Sequence, residues 1–154
     1  LPMIITRPFN YTGPGQSERF VFAKIVGAFR RREPEIKLGN LDVARDLSDV
    51  TYVTEIYHRL LCSHVRSETF NICSGHSVSL QEVIELMSDI AGYMPRITID
   101  PSLIRRDDVR ALWGDPSHLH HAIGEITMPS LKETLLSMYQ QPKDAALASP
   151  LINI

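Results

Sequence analysis

Seven polar residues stand in loops or at the ends of probable elements: Asn10, Lys24, Asn40, Arg45, Arg105, Arg106 and Asp108. Asparagine donates through its amide, lysine is a compact point charge and arginine a planar two-donor fork, so a fold that gathered them would suit a sugar diphosphate. Spacing alone does not join them, and surface ion pairs are the simpler reading of the same residues. Gly13-Pro14-Gly15 offers a second chemistry, because glycines let backbone N–H groups approach a phosphate ahead of a helix N-terminus. Glu18 occupies the place of a third fingerprint glycine, and no Walker-type lysine and serine follow. The loop therefore reads either as an anion cradle or as a bare tight turn.

Three further groupings invite chemistry and are set aside. Tyr139 and Lys143 have the spacing that puts a phenol and an ammonium on one helix face for proton transfer, but Pro142 between them ends the helix. His118, His120 and His121 crowd together without the i,i+4 partner that a helical zinc site uses, and read as a solvated helix. Arg30-Arg31-Arg32 reads as a solvated helix end whose charge suits the dipole, with phosphate capture a lesser reading.

The elements that must position these residues alternate. Met3 to Thr6 is an apolar, β-branched run of the kind buried on both faces in a parallel sheet, followed by a Gly/Pro-rich loop from Asn10 to Gln16. Ser17 is expected to cap a helix carrying Phe20, Val21, Lys24, Ile25, Ala28 and Phe29 at helical spacing. Strands are expected at Glu35–Leu38 and Val43–Leu47. A helix should begin at Asp49, run to about Leu61 and bury Val53, Ile56, Tyr57, Leu60 and Leu61. A strand at Thr69–Cys73 and a turn at Ser74-Gly75-His76 follow. Next come a capping box of Ser79 with Glu82, a helix stopped by Gly92 and a strand at Arg96–Asp100. Asp115-Pro116 starts a short helix, and Ser130 with Glu133 repeats the capping box before a last helix. This is a mixed α/β chain, organised as one portion over residues 1–141 and an aperiodic tail over 142–154.

Composition excludes several classes. The 154 residues are 44% hydrophobic and 22% charged, with a net charge of -2, so no cationic field draws nucleic acid or an anionic membrane. No apolar run approaches the ~18 residues of a bilayer span. A chain of this length buries roughly two-thirds of its unfolded surface and needs no staples. Cys62 and Cys73 therefore read as reduced thiols of a cytoplasmic protein. An opening strand of the buried type, with nothing before it to pair with, reads as the rear part of something larger.

Arg7-Pro8-Phe9-Asn10-Tyr11-Thr12-Gly13-Pro14-Gly15-Gln16 resembles the segment that follows the catalytic tyrosine and lysine in extended short-chain dehydrogenase/reductases acting on nucleotide sugars. Gly39-Asn40-Leu41-Asp42-Val43-Ala44-Arg45-Asp46-Leu47-Ser48-Asp49-Val50 is similar to the substrate-holding stretch of GDP-mannose dehydratases and their sister GDP-6-deoxy-4-keto-hexose reductases. Phe70-Asn71-Ile72-Cys73-Ser74-Gly75 with Ser79-Leu80-Gln81-Glu82-Val83 resembles the family's next strand, turn and helix. Arg105-Arg106-Asp107-Asp108-Val109 before Gly114-Asp115-Pro116-Ser117 completes the series, with Arg106 where the family has proline. The Thr-Gly-Pro-Gly-Gln form is closer to the reductases.

The resemblance implies the C-terminal, substrate-binding portion of a Rossmann-type enzyme in which hydride passes between NAD(P) and C4 of a GDP-hexose. Pro8 and Phe9 would border the nicotinamide, and Asn10 would donate to the diphosphate. Val21 and Lys24 would face the nucleotide, while Asn40 and Arg45 would lie against base and phosphate. Arg105 would clamp the diphosphate, and Asp108 would accept from ribose hydroxyls. The family's Gly-rich loop and Tyr-x-x-x-Lys pair are not among these residues, so the chain is expected to be inactive alone and to associate with an N-terminal half or with itself. The alternative is a catalytically inactive binding or assembly module from a truncated gene.

Overall fold

The computed structural model describes residues 2–104 and 109–142. Along the chain run β1 (Ile5–Pro8), β2 (Asn10–Thr12), α1 (Val21–Arg30), β3 (Glu35–Leu38), β4 (Ala44–Asp49), α2 (Val50–Cys62) and β5 (Thr69–Ile72). They are followed by β6 (Ser77–Ser79), α3 (Leu80–Ala91), β7 (Arg96–Ile99), a 3-10 turn at Pro101–Leu103, β8 (Ala111–Leu112), α4 (Ser117–Ile123) and α5 (Leu131–Gln140).

The strands form three small sheets. β1 pairs β5 in parallel with Ile5 opposite Thr69, and β3 pairs β7 in parallel with Glu35 opposite Arg96. β4 is the hub of the third: β2 joins it in parallel with Asn10 opposite Leu47, β6 antiparallel with Arg45 opposite Val78, and β8 in parallel with Arg45 opposite Leu112. Two apolar clusters back these sheets. One gathers Ile25, Phe29, Ile36, Leu38, Val83, Ile84, Met87 and Leu135 from α1, β3, α3 and α5. The other gathers Tyr52, Val53, Ile56, Leu60, Phe70, Ile72 and Leu119 from α2, β5 and α4.

The local signals for α2, α3 and α5 hold. Asp49 caps α2 by accepting from Thr51 N at 2.7 Å, both capping boxes form, and Gly92 ends α3 in the left-handed region with φ 71. Four expectations need correcting. The opening strand is shifted to Ile5–Pro8 and is not buried on both faces, since among the described residues β5 is its one partner and Met3 and Ile5 stay 64% and 49% exposed. The Asn10–Gln16 loop opens as strand β2, because β4 offers it a paired edge. Ser17 does not cap α1: its carbonyl accepts from Phe20 N in a preceding turn, and the helix starts at Val21. On α2 the buried stripe is Tyr52, Val53, Ile56 and Leu60, facing β5 and α4. Tyr57 and Leu61 lie round the far side, Leu61 at 84% exposure.

Candidate functional site

The chain crosses from one sheet to another at Pro8-Phe9-Asn10. Pro8 ends β1 opposite Ile72, Phe9 N donates to the Ile72 carbonyl at 2.9 Å, and Asn10 opens β2 beside β4. Pro8 and Asn10 are exposed there and Phe9 is half-buried. The Phe9 ring lies so close to Gly114 that a Cβ on that glycine would sit 2.8 Å from the ring and 2.7 Å from Cys73 Sγ. A flat aromatic wall stands beside exposed Pro8, at the place expected to border the nicotinamide of a dinucleotide. The rest of such a cofactor has no Gly-rich loop to meet among these residues.

Arg45 projects from near the start of the hub strand β4. Its guanidinium donates to the Ala44 and Val109 carbonyls at 2.9 and 2.6 Å, and Ala44 N donates to the Arg110 carbonyl at 2.7 Å. Lys24 projects from α1 and donates to the Lys37 carbonyl at 2.6 Å, near the end of β3. Gly39 follows, with the Leu103 carbonyl only 2.6 Å from where its Cβ would be, so a larger residue there would push Leu103 away. Asn40 is tied down locally, its Oδ1 accepting from Asp42 N at 3.0 Å. Val21, in the first turn of α1, packs partly against the larger core.

The expected residues thus fall into two groups. Asn10 and Arg45 share the β4 sheet, while Lys24 and Asn40 share the end of β3. The chain on either side of residues 105–108 touches both: Leu103 lies against Gly39, and Val109 and Arg110 against Arg45 and Ala44. Arg105, Arg106 and Asp108 themselves lie outside the described residues. A cleft of about 470 Å³ beside α1 and β3 is lined by Lys24, Lys37, Glu35, Arg31 and Glu18. Of the expected set it holds only Lys24.

The other groupings resolve into structural roles. Gly15 N donates to Gln141 Oε1 at 2.7 Å and Gln16 N to the Gly13 carbonyl at 3.2 Å, which makes Gly13-Pro14-Gly15 a tight turn with the Gly15 amide in use. Gly13 is required there because a Cβ would collide with Val50. Tyr139 packs against the core, and Lys143 lies outside the described residues. His118 stacks on Phe70 with centroids 4.9 Å apart and bonds Glu68, while His120 Nε2 meets the Tyr52 hydroxyl at 3.0 Å. Arg31 is paired with Glu18 and Glu33, which hold its guanidinium charged. Arg30 donates to the Gln141 carbonyl and Arg32 lies 4.8 Å over the Tyr93 ring. The three arginines pin the end of α1 rather than simply facing water.

Asp46 was missed by residue type alone. It is fully buried, and its carboxylate accepts from Ser74 N, Ser74 Oγ, Gly75 N and Gly114 N. No alternation marks it, since Ala44 and Arg45 are both half-buried and every residue from Asp46 to Asp49 is buried. Beside it, burial pushes the Cys73 thiol up to about 11, with the Asp46 charge adding to the shift.

The model of the GDP-mannose 4,6 dehydratase family matches residues 1–138. The chain is 34% identical over 137 residues to GDP-6-deoxy-D-talose 4-dehydrogenase of Aggregatibacter actinomycetemcomitans, covering 88% of this chain and 47% of that protein. It is 34% identical over 146 residues to GDP-6-deoxy-D-mannose reductase of Pseudomonas aeruginosa, covering 90% and 48%. Among solved structures, a Burkholderia cenocepacia protein superposes with a TM-score of 0.88 at 47% identity, covering 90% of this chain and 46% of that one. RMD from Pseudomonas aeruginosa complexed with NADPH superposes with a TM-score of 0.82 at 33% identity, covering 88% and 46%. The chain spans about half the length of the relatives it matches. Its mixed α/β architecture is that of the C-terminal portion of an extended short-chain dehydrogenase/reductase, and the chain belongs to the GDP-mannose 4,6 dehydratase family.

Proposed function

We propose that these residues form the substrate-binding portion of an NAD(P)-dependent oxidoreductase acting on a GDP-hexose, of the GDP-4-keto-6-deoxymannose reductase or GDP-mannose dehydratase type. The observation that carries this reading is where Leu103, Val109 and Arg110 lie. Leu103 touches Gly39, which lies between the strand that Lys24 binds and Asn40, while Val109 and Arg110 touch Arg45 and Ala44 in the strand that pairs with Asn10. A ligand with a base at one end and a diphosphate in the middle is the kind that spans two such groups. In this reading Asn10, Arg45 and Arg105 meet the diphosphate, and Lys24, Val21 and Asn40 the nucleoside. Asp108 accepts from ribose, and Pro8 and Phe9 wall the nicotinamide. NAD(P)H, when bound, supplies hydride to the sugar, and the residues described here hold the nucleotide sugar in place. The relatives' dehydrogenase and reductase activities support the reductase side of the reading. The chain is taken to work in the cytoplasm, where nucleotide sugars are made and used.

Titration calorimetry with GDP-mannose, GDP, UDP-glucose and mannose tests it. GDP and GDP-mannose should bind and free mannose should not, because charge-assisted donors meet the diphosphate. Losing a buried phosphate partner costs about 2 to 5 kcal/mol, so Arg105→Ala should weaken GDP binding at least tenfold, whereas Arg31→Ala should leave it unchanged. Equal losses from both changes would sink the clamp. Equal affinity for UDP-glucose would sink the guanine assignment alone.

A further inference from the structure

Asp46 is a buried carboxylate whose four named donors are all neutral. Oδ1 accepts from Ser74 N at 2.7 Å and Ser74 Oγ at 2.8 Å, and Oδ2 from Gly75 N at 3.1 Å and Gly114 N at 3.2 Å. Three of these donors are backbone amides, drawn from two turns far apart in sequence: the one after β5 and the one after β8. Neither turn is held to the other by a ladder. Gly75 has φ +87 and its face lies against Pro116, with a Cβ position only 3.3 Å from the proline ring. Gly114 is wedged between Cys73 and Phe9 with no room for a side chain. The two turns are therefore pressed together on one side, and Asp46 supplies the acceptors that their inward amides require.

We propose that Asp46 is a positioning residue that fixes the path of residues 109–114 across β4. It acts through the Gly114 amide. With Gly114 held, β8 lies in register on Ala44 and Arg45, and Val109 and Arg110 meet those same two residues at 2.6 and 2.7 Å. The segment thus enters the binding face at a set point, and the Arg45 guanidinium donates to the Val109 carbonyl of the same segment whose far end Asp46 holds at Gly114. The functional consequence rests on the reading that this face takes a GDP-sugar. The structural role of Asp46 does not.

Asp46→Asn in the full chain, followed by amide NMR and GDP titration, separates the two. In the wild type the Ser74 and Gly114 amide protons should lie downfield, as donors to a carboxylate do, and exchange slowly. In the variant they should move upfield and exchange at least tenfold faster, while the Ile56 and Ile84 amides keep their protection. GDP affinity should fall at least tenfold although Asp46 does not face the ligand. Saturating GDP should slow exchange at Gly114 selectively, whereas ligand rescue of a general loss of stability would slow the core amides as well. Ser74→Ala removes one donor, leaves three amides on the carboxylate, and serves if the first variant does not fold; faster exchange confined to the same amides is expected, about threefold. Unchanged exchange at Gly114 overturns the proposal, as does GDP binding lost without any change in exchange, or exchange raised across the whole core in both variants. If wild-type protein ignores GDP while Gly114 responds as stated, the positioning role holds and the nucleotide reading fails.

Discussion

The two cysteines show how much of a side chain's chemistry is decided by its neighbours. Cys62 is exposed at the end of α2, while Cys73 is fully buried against Gly114 and Phe9, its thiol pushed up to about 11 by burial and by the Asp46 charge. An aromatic disulfide reagent at pH 8 should titrate one thiol per native chain and two in denaturant, because only the accessible thiol meets the reagent. Two thiols titrating in the native state would show that the Phe9 wall opens readily. The same contrast explains what was legible at this scale. Asn10, Lys24 and Arg45 stand out by type, since amide, ammonium and guanidinium are the donors that phosphate chemistry uses. Asp46 does not stand out: its partners lie 28, 29 and 68 residues away, and no local pattern marks a carboxylate whose donors come from two distant turns.

At the scale of elements, the two capping boxes are readable, the Ser17 cap is not, and the shortest strands are not. The boxes at Ser79 and Ser130 announce α3 and α5 because donor and acceptor sit three residues apart. β2, β6 and β8 are three, three and two residues long and exist because β4 pairs with them, a cause that lies outside each segment. Asp49 does more than a cap. Its Oδ1 accepts from Thr51 N and Oγ1, and its Oδ2 accepts from Thr134 Oγ1 at 2.7 Å, fastening α5 to the start of α2. Ser79→Ala should cost about 1 kcal/mol by denaturant titration, the usual worth of an N-cap. Asp49→Ala should cost about 2 to 4 kcal/mol, because it also leaves the buried Thr134 hydroxyl without an acceptor. Equal costs would mean that the α5 link carries no weight. The Ser79 contribution has a pH dependence of known sign. Bonds from Ser79 hold the Glu82 carboxyl below its ordinary 4.5, so the stabilisation is complete above that value and fades as pH falls through the lowered one.

For the molecule as a whole, the alternation of helix and strand announces the mixed α/β class, and the separation of the strands into three sheets was not legible. That separation depends on which distant segments meet. β1 waits for β5, and β3 for β7. The exposed Met3, Ile5 and Leu61 follow from the same topology, since β1 has a single neighbour among the described residues and α2 turns one flank outward.

Two of the long-range parallel pairs are interleaved: β3 lies within the stretch closed by β1 and β5, whereas its partner β7 lies beyond it. A break in the chain anywhere between Leu38 and Thr69 would divide both pairs at once, so the two apolar clusters cannot serve as separate folding units. Each pair also demands closure of a long loop before any contact repays it, which places folding toward the slow, millisecond-to-second end of the range for small domains. Equilibrium unfolding followed by Trp113 fluorescence and by far-ultraviolet circular dichroism should therefore superpose in a single transition, and two separated transitions would show the clusters to be independent. Through this threading, the grip on Pro8 and Phe9 at the end of β1 depends on side chains in α3 and α5 that are packed in the other cluster.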